Sequence, residues 1–165
     1  MLCHFVYFLL TIVKPLFDFR STIAWLLLTK RRMKLKKGKF LNSEITKVIC
    51  DMGHTDEITI GDAGLPTPEG VKKIDLALRE GLPSFLEVLE LVREEMEIEK
   101  VVLAAEIIKN NHDVYEAVMK MFENAEIELI EHEDFKRRTE SSKAFIRTGE
   151  CTPYANIILK SGVIF

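Results

Sequence analysis

The chain has 165 residues, which is the length of one domain with a short appendage. Because 47% of the residues are hydrophobic and 30% are charged, the composition excludes a disordered chain, a collagen and a disulfide scaffold. The net charge of −3 argues against a protein that binds nucleic acid or acidic lipid. The three cysteines, Cys3, Cys50 and Cys151, are odd in number and far apart, which is typical of free thiols in a reducing compartment, so we expect a cytoplasmic protein.

The first 32 residues differ in composition from the rest of the chain. They contain 20 apolar residues and the only tryptophan, and they carry a charge of +4, so that the remaining 133 residues carry −7. A membrane-spanning helix needs about 20 consecutive apolar residues, but charged residues interrupt this segment after Val13. A secretory signal peptide starts with basic residues and ends at a small-residue cleavage site, and the segment has neither feature.

We therefore favour a third interpretation, in which translation begins at Met33 and residues 1–32 are an upstream extension of the reading frame. A membrane-associated anchor and a signal peptide are the two alternatives. On the favoured interpretation, residues 33–165 form the folded domain, because the polar and apolar patterning of a complete domain begins only there.

Hydrophobic periodicity and turn residues predict alternating helices and strands along residues 33–165. In chain order we expect a helix at 44–52 capped by Asn42 and Ser43, a strand at 57–61, a loop at 62–70, a strand at 71–78, a helix at 84–96, a strand at 101–105, a helix at 113–122, a strand at 126–130, a helix at 134–142, and strands at 144–147 and 157–159. This alternation predicts a single layered α/β domain with a mixed sheet and flanking helices. It does not predict the order of the strands.

Two of the four histidines lie where α/β proteins bind ligands. His54 follows a helix and precedes a strand, and His132 comes directly after a strand. Ligands of α/β folds bind at strand ends, although either residue is equally well read as an ordinary surface or hydrogen-bonded histidine. His112 begins a polar helix, where a solvated side chain is expected.

The sequence contains several residues of the types that bind metal ions, but no metal-ligand spacing. His54, Asp56, Asp62, His112 and His132 are suitable types, yet no pair has a spacing such as His-x-x-x-His, so we predict no metal site. The chain also lacks a Gly-x-Gly-x-x-Gly turn for phosphate and a Gly-x-Ser-x-Gly nucleophile turn.

The remaining polar residues suit a ligand with many hydroxyl groups. His54, His132, Asp62, Tyr154 and Asn156 can each donate or accept hydrogen bonds, and a sugar needs such groups rather than a basic patch. Asp62 follows a strand in a loop rich in Gly and Pro, so that stabilising this turn is the alternative role for it.

Eight ordered sequence blocks carry a resemblance to a known family. They are Leu41-Asn-Ser43, Met52-Gly-His-Thr-Asp56, Asp62-Ala-Gly-Leu-Pro66, Ile74-Asp-Leu-Ala77, Gly81-Leu-Pro-Ser-Phe85, Glu131-His132, Ile146-Arg-Thr-Gly-Glu-Cys151 and Pro153-Tyr-Ala-Asn-Ile157. Through them residues 33–165 resemble the D-ribose pyranase family, within the wider ribose pyranase/fucose mutarotase superfamily. Residues 1–32 resemble nothing in that family.

The resemblance implies an α/β enzyme that interconverts the pyranose and furanose forms of D-ribose without a cofactor. It implies that His54 is the catalytic residue and that five others bind the sugar: Asp62, His132, Tyr154, Ala155 and Asn156. Whether Lys136 and Asp56 take part is left open. It also implies a homo-oligomer, a decamer in the family, with sites near subunit boundaries.

Hemiacetal chemistry makes a catalytic histidine reasonable. Ring opening takes a proton from the anomeric hydroxyl and gives one to the ring oxygen, and an imidazole with a pKa of about 6.5 in water can do both at neutral pH. Asp62 either orients that imidazole or accepts from a sugar hydroxyl. The alternatives are a mutarotase for another sugar such as fucose, a non-catalytic sugar-binding or transport-accessory protein, and a membrane-anchored form of either.

Overall fold

The computed structural model describes residues 40–163, so the predictions for residues 1–32 lie outside the described part of the chain. Within that range six strands form one sheet: β1 (Glu57–Gly61), β2 (Lys72–Asp75), β3 (Ile98–Ala104), β4 (Glu126–Ile130), β5 (Ala144–Arg147) and β6 (Ile157–Ser161). The helices are α1 (Ser43–Asp51), α2 (Phe85–Arg93), α3 (Ile107–Asn110), α4 (His112–Met121) and α5 (His132–Arg138), the last followed by a 3₁₀ turn over Thr139–Ser141.

The sheet is mixed, in the order β2-β5-β1-β6-β3-β4. β5 runs parallel to β1 and β2, and β3 runs parallel to β4, whereas β6 is antiparallel to both of its neighbours, β1 and β3. The first five strands therefore all point the same way. We call the edge where they end, and where β6 begins, the C-terminal edge, and the opposite edge the N-terminal edge. The predicted α/β architecture with a mixed sheet is confirmed.

Apolar side chains cover both faces of the sheet. In β3, Val101 and Leu103 face the larger core cluster, while Val102 and Ala104 face a smaller one, as the alternation of a strand requires. All four side chains are fully buried. A central strand buried on both faces reads as a continuous apolar run, which is why this strand is recognisable from sequence.

Two helices begin at caps that the sequence predicts. The Asn42 side chain accepts a hydrogen bond from the Ile45 amide at the start of α1 (3.0 Å). Ser84 and Glu87 form a reciprocal capping box at the start of α2. Each cap supplies an acceptor to helix amides that have no partner within the helix, so it fixes where the helix begins.

The predicted strand at 71–78 is too long. β2 ends at Asp75, and Leu78, the last residue of the predicted strand, is 79% exposed. The chain turns there because the Asp75 side chain accepts from the Ala77 amide, and the Leu78 amide then bonds to the Leu82 carbonyl. Alternating apolar residues alone did not reveal this turn.

Other boundaries shift by a few residues. The second predicted helix ends at Arg93 rather than at 96, and β3 begins at Ile98 rather than at 101. The last helix begins at His132 rather than at 134, so that His132 opens a helix instead of lying in a loop. The short helix α3 was not predicted.

Candidate functional site

The C-terminal edge brings together most of the predicted sugar-binding residues. Asp62 follows the last residue of β1, and Asn156 precedes the first residue of β6, which is paired with β1. Tyr154 lies two residues before Asn156, and His132 lies two residues after β4. The carboxyl ends of the five parallel strands lie at this edge, beside the start of the antiparallel strand β6. In α/β proteins, ligand-binding crevices form at the carboxyl ends of the strands.

Asp62 and Asn156 bind each other through two hydrogen bonds. The Asp62 amide donates to Asn156 Oδ1 (2.8 Å), and Asn156 Nδ2 donates to Asp62 Oδ2 (2.9 Å). The other carboxylate oxygen of Asp62 accepts from the amides of Gly64 (2.9 Å) and Leu65 (2.7 Å), which closes the turn after β1. Asp62 therefore fills the turn-stabilising role and also fixes the amide plane of Asn156.

A glycine allows this close approach. A Cβ atom on Gly61 would lie 3.2 Å from Asn156 Oδ1 and 2.7 Å from the ring carbon Cζ of Phe145. The second distance is shorter than any ordinary contact, so a larger residue at 61 would displace one of these side chains. The small residue at the end of β1 is thus part of the geometry of the edge.

The Tyr154 backbone is strained. Its φ is 57°, in the left-handed region that non-glycine residues seldom adopt, and its carbonyl accepts from the Asn156 amide (2.8 Å). Asn111 braces the preceding residue by donating to the Pro153 carbonyl (2.9 Å). The Ala155 side chain is buried in the core, so only its backbone can face a ligand. Strain of this kind persists where the surroundings hold a side chain in a required position.

His132 lies against Tyr154 with one ring nitrogen buried. The two rings meet edge to face with centroids 5.0 Å apart, and the His132 amide donates to Glu106 Oε1 (3.1 Å). His132 Nδ1 and Glu106 Oε2 are buried without a hydrogen-bond partner among the described residues. Buried polar atoms normally form hydrogen bonds, so these two atoms mark the position at this edge where a further hydrogen-bonding partner would bind.

Sequence reasoning missed Glu106. It lies two residues beyond β3, as His132 lies two residues beyond β4, and the ends of these strands are paired at Ala104 and Ile130. Strand pairing makes them neighbours although they are 26 positions apart in the chain. Lys136, which was left open, forms an ion pair with Glu133 (2.6 Å).

His54 lies at the N-terminal edge, apart from this cluster. It follows α1 in the turn before β1, its side chain is 51% exposed, and its Nε2 contacts Glu99 Oε2 at 2.9 Å. β1 runs between His54 and Asp62, and at about 3.3 Å per residue it places them on the order of 20 Å apart. One chain therefore assembles the predicted binding residues but does not bring the predicted catalytic residue to them. Asp56, also left open, lies beside His54 and pairs with Lys143 (3.2 Å).

Residues 40–163 contain neither a cluster of metal-ligating side chains nor a helix that could span a membrane. No three His, Cys, Asp or Glu side chains in this range cluster as metal ligands. No helix in the same range is long and apolar enough to cross a membrane.

The comparisons with known proteins define the class of this molecule. An α/β sheet with polar residues at a strand-end crevice occurs in many ligand-binding proteins, so the fold alone names no activity. The sequence profile of the RbsD / FucU transport protein family matches residues 35–164. The chain belongs to that family.

Individual relatives narrow the comparison. The chain is 58% identical over 129 residues to the D-ribose pyranase of Staphylococcus haemolyticus, an alignment that covers 78% of this chain and 98% of the relative. The structure of Bacillus subtilis RbsD complexed with D-ribose is 51% identical, with a TM-score of 0.78, and covers 79% of this chain and all of that one. The fucose mutarotase of Streptococcus pneumoniae in complex with L-fucose is 26% identical, with a TM-score of 0.68 over the same shares of each chain.

Proposed function

We propose that this protein is an isomerase that interconverts the β-pyranose and β-furanose forms of D-ribose. The observation that carries the proposal is the polar cluster of Asp62, Asn156, Tyr154 and His132 at the C-terminal edge. It offers hydrogen-bonding groups without a concentration of positive charge, which suits a neutral sugar. The high identity to proteins named D-ribose pyranase supports ribose over fucose, since the fucose mutarotase is much less similar.

The proposed chemistry needs only proton movement. A proton leaves the anomeric hydroxyl while another is added to the ring oxygen O5, so that the ring opens to the aldehyde. The O4 hydroxyl then attacks the aldehyde carbon, loses its proton and regenerates an anomeric hydroxyl. His54 supplies the proton in this account, and a positioned acid or base of this kind accelerates a reaction by about 10²–10⁴-fold. No cofactor enters the balance, and we expect exchange to persist in EDTA.

The positions of the residues lead to a site shared between two copies of the chain. The polar cluster and His54 lie at opposite edges of one sheet, so they do not meet within one chain. The His54 side chain is half exposed and is therefore accessible to another copy of the chain. We propose that the protein forms a homo-oligomer, a decamer by the family resemblance, in which His54 of one copy reaches the cluster of the next. Closed symmetric assemblies repeat such a contact at every interface.

A cytoplasmic location is part of the proposal. Cys50 and Cys151, the two cysteines in the described part of the chain, are both free thiols. Unpaired cysteines are typical of proteins in reducing compartments such as the cytoplasm.

Saturation-transfer NMR on equilibrated D-ribose tests the proposal. The purified full chain should speed the exchange between pyranose and furanose signals well above the rate in buffer, and it should act much less on L-fucose at equal concentration. Faster exchange on fucose than on ribose would favour the mutarotase alternative. Binding of ribose without any exchange would favour a sugar-binding protein instead.

A further inference from the structure

Glu99 links the predicted catalytic histidine to a lysine at the N-terminal edge. Its Oε2 contacts His54 Nε2 at 2.9 Å, and its Oε1 contacts Lys160 Nζ at 2.7 Å. One carboxylate thus binds the imidazole with one oxygen and an ammonium group with the other. The hydrogen bond from Lys160, followed by that from His54, lowers the pKa of the Glu99 carboxyl below its usual range, so it is ionised at neutral pH.

A bulge in β3 positions the Glu99 side chain. β3 pairs with β6 so that Ile98 lies opposite Ser161 and Lys100 lies opposite Lys160. Two steps along β3 therefore match one step along β6, and Glu99 is the extra residue. Bulges of this kind redirect a side chain and are frequent beside functional sites. A Cβ on Gly162 would come within 3.3 Å of the Glu99 backbone and Cβ, so a glycine there leaves room for the bulge.

The end of β6 also holds the turn that carries His54. The Thr55 amide donates to the Ser161 carbonyl (3.1 Å), and the Ser161 amide donates to the Asp56 carbonyl (2.9 Å). Thr55 has a φ of 71°, in the left-handed region, so the residue after His54 is held in a strained conformation. Along with Tyr154, it is one of two non-glycine residues with positive φ in the described range. Strain at both edges occurs beside predicted site residues.

The charges around His54 come from four side chains. Glu99 on β3 and Lys160 on β6 form the contact described above. Asp56, in the same turn as His54, accepts from the Gly53 amide (2.9 Å) and pairs with Lys143 in the loop before β5. Asp56 is thus occupied by its own partners, and Glu99 is the carboxylate that binds the His54 ring.

We propose that Glu99 is a positioning residue for His54. It accepts a hydrogen bond from Nε2–H, which fixes the ring plane and the tautomer and leaves Nδ1 to exchange protons with the sugar. Lys160 holds the carboxylate in place. This inference rests on the proposed function, in which His54 moves the proton.

The test compares Glu99→Gln with Glu97→Gln as a matched control. Glu97 is an exposed glutamate two residues away, and its substitution changes the net charge equally without touching the His54 contact. Glu99→Gln should lower the turnover number for ribose exchange by at least about tenfold, because part of the proton-transfer acceleration is lost. It should leave the KM for ribose and the melting temperature unchanged. Glu97→Gln should match wild type in every respect.

A second pair of variants separates this inference from the proposed function. If Glu99 acts through His54, adding Glu99→Gln to His54→Ala should not change the residual exchange rate. An inactive His54→Ala variant beside a Glu99→Gln variant with wild-type turnover would overturn the role of Glu99 alone. A double variant that is slower than His54→Ala would also overturn the proposal that Glu99 acts through His54. An active His54→Ala would refute both the role of Glu99 and the proposed mechanism.

Discussion

Asp62 stabilises the C-terminal edge with both carboxylate oxygens. One oxygen closes the turn after β1, and the other accepts from the side-chain amide of Asn156. The Asn156 amide is thereby fixed before any ligand arrives, which lowers the entropy lost on binding. At this scale the proposed binding site contains a preorganised pair of hydrogen-bonding side chains, Asp62 and Asn156.

Replacing Asp62 with asparagine separates these two roles. Asp62→Asn can keep the turn, because an amide oxygen still accepts from Gly64 and Leu65, but it places an NH₂ group against the NH₂ of Asn156. We expect the affinity for ribose to fall by about tenfold, which corresponds to the loss of one well-placed hydrogen bond. Titration calorimetry with ribose measures this.

The control for that experiment is Asp51→Asn on the exposed side of α1, where Asp51 forms an ion pair with Lys47 on the same helix. It should leave ribose affinity unchanged. An Asp62→Asn variant that binds ribose as tightly as wild type would show that the Asp62–Asn156 pair does not support the binding site.

Between elements, Arg138 connects α5 to two strands. Its guanidinium donates to both oxygens of Glu57 at the start of β1, with a shortest distance of 2.7 Å, and to Glu128 on β4 at 2.8 Å. All three side chains are at least about two-thirds buried. The hydrogen bond from Arg138 lowers the pKa of Glu128 below its usual range. The helix that begins with His132 is thus fixed at its other end by an ion-pair network.

Arg138→Gln should lower the free energy of unfolding at pH 7 by about 2 kcal/mol, because two partly buried carboxylates lose a bidentate partner. A carboxyl group whose pKa is lower in the folded protein than in the unfolded chain stabilises the fold at a pH above its unfolded-state pKa. This contribution is lost as the pH falls through the folded-state pKa. The difference between wild type and variant should therefore shrink below a pH of about 4.5. Urea denaturation at several pH values measures it.

Arg137→Gln is the matched control, since Arg137 lies one position earlier on α5, is exposed, and forms an ion pair with Asp134 on the same helix. We expect this variant to change stability by less than about 0.5 kcal/mol. Equal effects of the two substitutions, or a difference that does not depend on pH, would show that the buried network is not what stabilises α5.

Much of the fold, but less of the site, is predictable from the sequence. The capping box at Ser84 and the buried run in β3 are local signals, and the structure confirms both. Glu99 and Glu106 gave no local signal, because their partners lie 45 and 26 positions away and meet them only through strand pairing. The sequence analysis grouped His54 with Asp62, whereas the structure places β1 between them, so the two residues lie at opposite edges of the sheet.

At the scale of the whole molecule, the proposed function predicts an assembly in which His54 of one copy meets the polar cluster of another. If each site combines His54 of one copy with the Asp62 cluster of another, two inactive variants can complement each other. Co-expressed His54→Ala and Asp62→Ala chains in equal amounts should recover about a quarter of wild-type exchange, because random assembly leaves that share of sites with both parts intact. Each variant alone should stay inactive.

The complementation experiment also has a clear negative outcome. Mixed assemblies as inactive as their components, with light scattering showing that they formed, would mean that each site lies within one chain. Light scattering that gives the mass of a single chain for the wild type would contradict the homo-oligomer directly.

The central claim is that His54 moves the proton in ribose ring exchange, and one measurement tests it most directly. Saturation-transfer NMR on D-ribose with wild type and His54→Ala compares the exchange rates, while line broadening of ribose signals in the same samples reports binding. The account predicts that the variant loses at least about a hundredfold in rate and still binds ribose, because Asp62, Asn156, Tyr154 and His132 remain. A His54→Ala protein that keeps most of the wild-type rate would contradict it.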